Sequence, residues 1–192
     1  LDSGLSLALS IVIGSLFLVV VMTAQANLHE LKMENFLENI AEEKMEATRS
    51  VLKWHIEKIG FQVNPNDLPF GEEILFDANN DTTLRFYADI DSNGTADLVE
   101  LYSGPLSDLA GTENPLDFYL YRKINNNDPE IIGAGLTHLS FTSSRARSTF
   151  NNHLEINVLV QTPFPMNYRN NESRYFQAEW REEICPDNLG WY

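Results

Sequence analysis

The residues best suited to chemistry fall in one stretch, Asp89-Ile90-Asp91-Ser92-Asn93-Gly94-Thr95-Ala96-Asp97-Leu98-Val99-Glu100. It satisfies D-x-[DN]-x-[DN]-G-x5-E, in which oxygen donors at alternate positions wrap a hard cation and a glycine makes the sharp turn. On this reading Asp89, Asp91 and Asn93 give calcium their side-chain oxygens and Thr95 its carbonyl. Asp97 adds a direct or water-mediated contact, and Glu100 closes the set. The flanks read as strands and not as EF-hand helices, so Glu100 at the twelfth position can point away. The competing reading is a Ser-Asn-Gly hairpin turn whose acids are solvated. A calcium ion here would stabilise the fold by linkage and perform no reaction.

Other reactive groups are sparse. Four histidines, at positions 29, 55, 138 and 153, show no ligand spacing with one another or with Cys185. His55 reads more simply as a packed residue on a helix face than as a ligand. A single cysteine excludes an intrachain disulfide framework, a cysteine-based zinc site and a CxxCH haem attachment. Neither G-x-S-x-G, a Walker A loop, a dinucleotide fingerprint nor H-E-x-x-H occurs, so an enzyme is not expected. Asn80, Asn93 and Asn171 begin N-x-S/T sequons, and glycosylation at Asn93 would conflict with a metal. Trp180, Trp191 and Tyr192 serve either as core or as a subunit contact. With 28 acidic against 13 basic residues the net charge is −15, and Arg145 and Arg147 form only a small basic spot; no nucleic-acid partner is expected.

Something must position that acidic turn, and hydrophobic content of 43% over 192 residues is enough for one ordinary domain with an appendage. The appendage is the N-terminus. Leu5 to Met22, LSLALSIVIGSLFLVVVM, carries no charge and extends to Ala24. As a helix it spans roughly 30 Å, the thickness of a bilayer's hydrocarbon core. Ala24-Gln25-Ala26 resembles a signal-peptide cleavage site, but the apolar run is longer than an ordinary signal core and no basic leader precedes it. A retained membrane-type helix is the expectation. Leu1 implies a processed or trimmed chain, and without Lys or Arg before Lys32 its orientation is weakly readable.

No glycine between Gly14 and Gly60 and no proline before Pro65 interrupts the chain beyond Met22. Leu28, Leu31, Phe36, Leu37, Ile40, Ala41, Met45, Thr48, Val51, Leu52, His55 and Ile59 recur at helical steps, and Glu30, Glu34, Glu38, Glu42, Glu46, Lys53 and Glu57 form a solvated face. The pattern predicts one helix of about 55 residues, capped by Gly60. From Phe61 onward short β-like runs follow: 74–76, 83–90, 96–102, 117–124, 130–136, 138–144, 153–162 and 174–184. Turn residues separate them at Asn64-Pro65-Asn66-Asp67, Ser92-Asn93-Gly94 and Asn125-Asn126-Asn127-Asp128. The expected fold is α+β: a long helix over 1–59, with 5–24 as its membrane or filament-core part, packed on an antiparallel sheet domain over 60–192.

This layout resembles that of type IV pilins and pseudopilins, and particular segments resemble the W-type minor pilins. The helix end is Glu46 to Gly60, EATRSVLKWHIEKIG, closing on Glu57-Lys58-Ile59-Gly60-Phe61. The strand, acidic turn and strand are Leu84 to Asp91, Asn93-Gly94 and Val99 to Tyr102. Asn114 to Asp117, Leu120 to Lys123 and Leu136 to Phe141 continue the likeness over nearly the whole chain. The family's acid at the fifth position is Leu5 here; Asp2 is the nearest acid that could take a partner's amino terminus, and cleavage after Gly4 would also leave none. The proline common in the family's first helical segment is missing, so no local melting is expected there.

The resemblance implies a subunit that polymerises through its N-terminal helix into an extracellular type IV pilus-like filament, a homo-oligomer, after residence in the cytoplasmic (inner) membrane. The physics agrees: an apolar helix leaves lipid only if other apolar surface replaces the bilayer, at roughly 1.5–3 kcal/mol per large side chain. Contacts that do not close give a helical filament. Leu5, Leu9, Val12, Leu16, Val19 and Val20 are expected to carry them. Gly4, Ser6, Ala8, Ser10, Gly14 and Ser15 either permit close approach or are ordinary membrane-helix composition. The alternative is a single-pass anchored ectodomain that binds calcium or another ligand and does not polymerise.

Overall fold

The computed structural model describes residues 2–63, 76–145, 152–168 and 172–186. Its order is α1 (Asp2–Glu57), β1 (Phe76–Asn80), β2 (Thr83–Ala88), β3 (Asp97–Ser103), a 3-10 turn (Leu106–Leu109), β4 (Phe118–Ile124), β5 (Glu130–Arg145), β6 (Asn152–Gln161), β7 (Met166–Asn167), β8 (Ser173–Arg174) and β9 (Gln177–Ile184). Strands β1 to β6 and then β9 form one seven-stranded antiparallel sheet, each pairing with the next. β7 and β8 make a separate two-stranded ribbon. The fold is α+β, as the hydrophobic periodicity implied.

One face of the sheet is covered by the C-terminal half of α1. Met45, Leu52 and Ile56 of the helix, with Ile59 just past its end, meet Leu84, Phe86, Val99, Leu101, Leu120, Leu136, Phe141, Ile156, Val158 and Trp180 in one core. Each large aliphatic side chain so removed from water contributes about 1.5–3 kcal/mol. A satellite cluster of Leu37, Met166 and Phe176 extends the cover one step up the helix. Arg49 and Lys53 reach Glu182 on β9, and Tyr168 donates from its hydroxyl to Glu34 at 2.8 Å. The hydrogen bond from Lys53 lowers the Glu182 pKa.

Three expectations need correcting. Leu28, Leu31 and Phe36 are exposed, not packed, because they lie off the helix face, running through Glu30, Glu34, Leu37 and Ala41, that meets the domain. Glu30 and Glu34 are half-buried on the side facing the domain, not on a solvated face. The runs 130–136 and 138–144 are one strand, β5, whose broken alternation is a bulge between Leu136 and His138. Gly135 just before it has φ +80, and a side chain there would meet Lys44 Nζ at 3.0 Å. The turn at 64–67, Ile74 and Leu75, the sequon at Asn171, Arg147, Trp191 and Tyr192 lie outside the described residues.

His55 is buried where helix meets sheet. Its Nδ1 lies 2.7 Å from Val51 O and its Nε2 3.2 Å from Arg122 Nη1. A guanidinium only donates, so Nε2 accepts and Nδ1 carries the proton to Val51 O. The ring is therefore neutral. Burial, followed by the Arg122 charge, lowers its pKa below 6.5 against the raising effect of the Val51 bond. Because the unfolded chain takes up the proton first, this contribution to stability is whole above about pH 6.5 and is lost as pH falls through 6.5 toward the folded value. Between pH 7 and 5.5 the protein in detergent should lose up to about 1.4 kcal/mol per pH unit at this site. The His55→Gln variant should show less of that loss by denaturant melts, and an identical pH profile would refute the assignment. Leu52→Ala should cost about 2–5 kcal/mol in the same measurement.

Candidate functional site

The helix end builds the acidic turn. Past Glu57 the chain tightens: Lys58 and Ile59 donate from their backbone N–H groups to the carbonyls of His55 and Ile56. Gly60 adopts φ +73, the left-handed conformation expected of a helix cap. Gly60 N–H donates to Tyr87 O at 2.8 Å, and Asp89 N–H donates to Phe61 O at 3.0 Å. These two bonds tie the end of α1 to the end of β2 and fix where Asp89 begins the turn.

Asp89, Asp91 and Asp97 then converge, each offering a carboxylate oxygen within 4.8 Å of the others. Asp89 is 1% exposed and Asp97 7% exposed, while Asp91 faces solvent. Backbone amides hold the acids in place. Asp89 accepts from Asn93 N–H at 3.0 Å and Gly94 N–H at 2.9 Å, and Asp97 accepts from Ile90 N–H at 3.2 Å. Ser92 at φ +59 and Gly94 at φ +86 make the reversal that brings the acids together. No basic side chain pairs with the three carboxylates among the described residues, and a divalent oxygen-seeking cation would relieve their mutual repulsion.

The other members of the motif separate. Asn93 donates from Nδ2 to Asp91 at 2.9 Å, and its Oδ1 accepts Thr95 N–H at 2.8 Å and the Thr95 hydroxyl, so both residues brace the turn from outside. Glu100 is not with the acids. Strand β3 sends it to the outer sheet face, where it pairs with Arg85 at 2.6 Å and Lys123 at 3.9 Å across neighbouring strands. A residue that the motif missed takes part instead: Asn125, at φ +52 in the β4–β5 turn, donates to Asp97 Oδ1 at 2.7 Å and accepts Leu98 N–H at 2.9 Å. Its only trace in the sequence is the Asn-rich turn 125–128.

The second functional element is the free half of α1. Its apolar window passes the length and composition test for crossing a membrane, and none of that window is buried inside the protein. Leu5, Leu9, Val12, Leu16, Val19 and Val20 are all exposed, and their spacing of mostly three and four residues puts them on one stripe. The hydroxyls of Ser6, Ser10, Ser15 and Thr23 donate to helix carbonyls three or four residues back, at 2.8–3.0 Å, which satisfies them without water. A Cβ at Gly4 or Gly14 would meet nothing of the chain within 4 Å. The side chain of Asp2, the candidate partner for an amino terminus, lies outside the described residues, as does Leu1.

Cys185 is exposed, with Sγ 3.3 Å from His153 Nδ1, the nitrogen that also lies 3.2 Å from Glu183. The same Sγ lies 3.9 Å from His153 Nε2, so the thiol sits beside the ring edge. No protein-family model, curated protein or solved structure matches this chain.

Calcium should raise the thermal midpoint of the full chain in detergent. One site adds about 2.7 kcal/mol when free calcium is roughly a hundred times its dissociation constant. Asp91→Asn, at an exposed ligand, should remove most of that shift, whereas Glu100→Gln should leave it. A chelator without effect on the wild-type midpoint would defeat the metal reading of this turn.

Proposed function

We propose that this chain is a structural subunit of the pilin-like kind. It is held in a membrane by residues 5–24 and then assembles through the same helix into an extracellular filament of identical copies. The observation that carries the reading is the wholly unburied apolar half of an unbroken 56-residue helix, joined to a sheet domain that covers only the other half. Such a surface requires lipid or protein around it. The stripe from Leu5 to Val20 supplies the contacts between copies, and the shift between lipid and neighbouring helices costs little because both are apolar. The resemblance to W-type minor pilins supports the same reading, which assigns no catalytic role and no nucleic-acid partner. Calcium at Asp89, Asp91 and Asp97, with Asn93 and Thr95 shaping the turn, belongs to the reading as a stabiliser of the exported domain.

A non-polymerising single-pass ectodomain is the second reading, favoured by the self-satisfied hydroxyls of the apolar helix, which suit lipid without any neighbour. The two are separated by imaging and crosslinking. Negative-stain microscopy of surface material should show regular fibres of this chain. Leu9→Cys in a Cys185→Ser background, oxidised, should give disulfide-linked dimers from those fibres. Detergent-solubilised monomers, with neither fibres nor crosslinks, would leave the anchored ectodomain.

A further inference from the structure

A second group of oxygens lies at the opposite end of the β3–β4 hairpin, about 20 Å from the acidic turn by the rise of seven strand residues. No motif marks it. Thr112 Oγ1 has four other oxygens within hydrogen-bond distance. These are Asp117 Oδ1 at 2.8 Å, Asp117 Oδ2 at 2.9 Å, Leu109 O at 3.1 Å and Asn114 O at 3.2 Å. A threonine hydroxyl carries one proton and can serve one of them. Leu109 O also receives Thr112 N–H at 3.0 Å. The Asp117 carboxylate and the Asn114 carbonyl have no other donor among the described residues.

Asp117 is 2% exposed, and no basic side chain pairs with it among the described residues. A carboxylate taken out of water needs a cation or a full set of donors, and one shared hydroxyl proton is neither. The loop around it is braced by bonds to neighbouring segments. Asn114, also 2% exposed, donates from Nδ2 to Gln161 Oε1 at 3.1 Å and Thr162 O at 3.2 Å. Its Oδ1 accepts Leu116 N–H at 3.1 Å. Glu113 and Asn114 N–H both donate to Pro163 O, and Tyr175 donates from its hydroxyl to Glu113 O. The loop is thus pinned to the end of β6 with four oxygens gathered around Thr112 Oγ1.

We propose that this loop is a calcium site, with the Asp117 carboxylate, the Thr112 hydroxyl and the carbonyls of Leu109 and Asn114 as its protein ligands. Oxygens about 2.4 Å from a calcium ion and roughly 72–90° apart around it are about 2.8–3.4 Å from each other. All four separations from Thr112 Oγ1 fall in that range. With two waters the set reaches the six to eight ligands that calcium takes. One carboxylate among neutral oxygens puts the affinity at roughly 10⁻⁴–10⁻³ M, the range of extracellular modules. The ion supplies the missing positive charge and locks the β3–β4 connection onto β6.

Equilibrium dialysis of the full chain in detergent against radioactive calcium, up to about 10 mM, tests this. Asp117→Asn should bind one equivalent fewer than wild type, whether the acidic turn contributes a further equivalent or none, so the two sites fail or stand separately. Thr112→Val keeps the carboxylate and should raise the half-saturation of that equivalent about tenfold. Equal binding by wild type and a folded Asp117→Asn overturns the proposal. If Asp117→Asn does not fold, a Thr112→Val isotherm identical to wild type overturns it instead.

Discussion

A sheet of this size can cover only part of a helix this long. At about 1.5 Å per residue α1 runs on the order of 84 Å, and the segment from Leu37 to its end at Glu57, along which the sheet and its ribbon cover one face, is about 30 Å of it. N-terminal to Leu37, beyond edge contacts such as that of Glu34 with Tyr168, the helix must satisfy its surface elsewhere. The helix does not end where its cover ends, because no glycine or proline between Gly14 and Gly60 interrupts it. Backbone continuity therefore carries the apolar half out from the domain as a rod, and the orientation of the sheet relative to whatever encloses that rod follows from a single contact.

The same contact organises the acidic turn. The helix's last turn, through Gly60 and Phe61, bonds the carbonyl of Tyr87 and the amide of Asp89, so the first acid is set by the helix and not by the hairpin alone. Asp97 starts the next strand, whose Val99 and Leu101 lie in the core beneath α1. A cation bridging Asp89 and Asp97 would couple the helix end, β2 and β3, and Asn125 would bring the β4–β5 turn into the same unit. Binding there favours the packed state over the unfolded chain by mass action.

Much of this was legible from residue order, and the exceptions share a cause. The helix could be read from unbroken apolar steps and missing breakers, and its cap from Gly60. The strand runs alternate as a half-covered sheet must, and eight of the nine strands overlap a run expected from the sequence. Three- and four-residue steps can trace more than one helix face, and Leu28, Leu31 and Phe36 lie off the face that runs from Leu37 back through Glu34 and Glu30, which is why they looked packed and are exposed. The motif found Asp89, Asp91 and Asp97 because turn geometry is local. It misplaced Glu100 because a strand, with its two-residue period, sends that carboxylate to the face where Arg85 and Lys123 wait. Asn125 is distant in sequence and joined only by sheet register. The oxygens around Thr112 left no trace because two of them are backbone carbonyls, which every residue has.

The exposed residues just beyond the apolar half bear on which enclosure fits better. Measured along the helix, Leu28 lies about 9 Å past Met22 and Phe36 about 21 Å past it. With residues 5–22 filling the hydrocarbon core, headgroups reach Leu28 but leave Phe36 in water beside Asn35 and Glu38. Lipid thus accounts for the first apolar patch and not for the last. A neighbouring helix displaced along the same axis would cover both, since it is as long as the rod it lies against. The unequal cover that lipid gives to Leu28 and Phe36 is what the proposed assembly would even out.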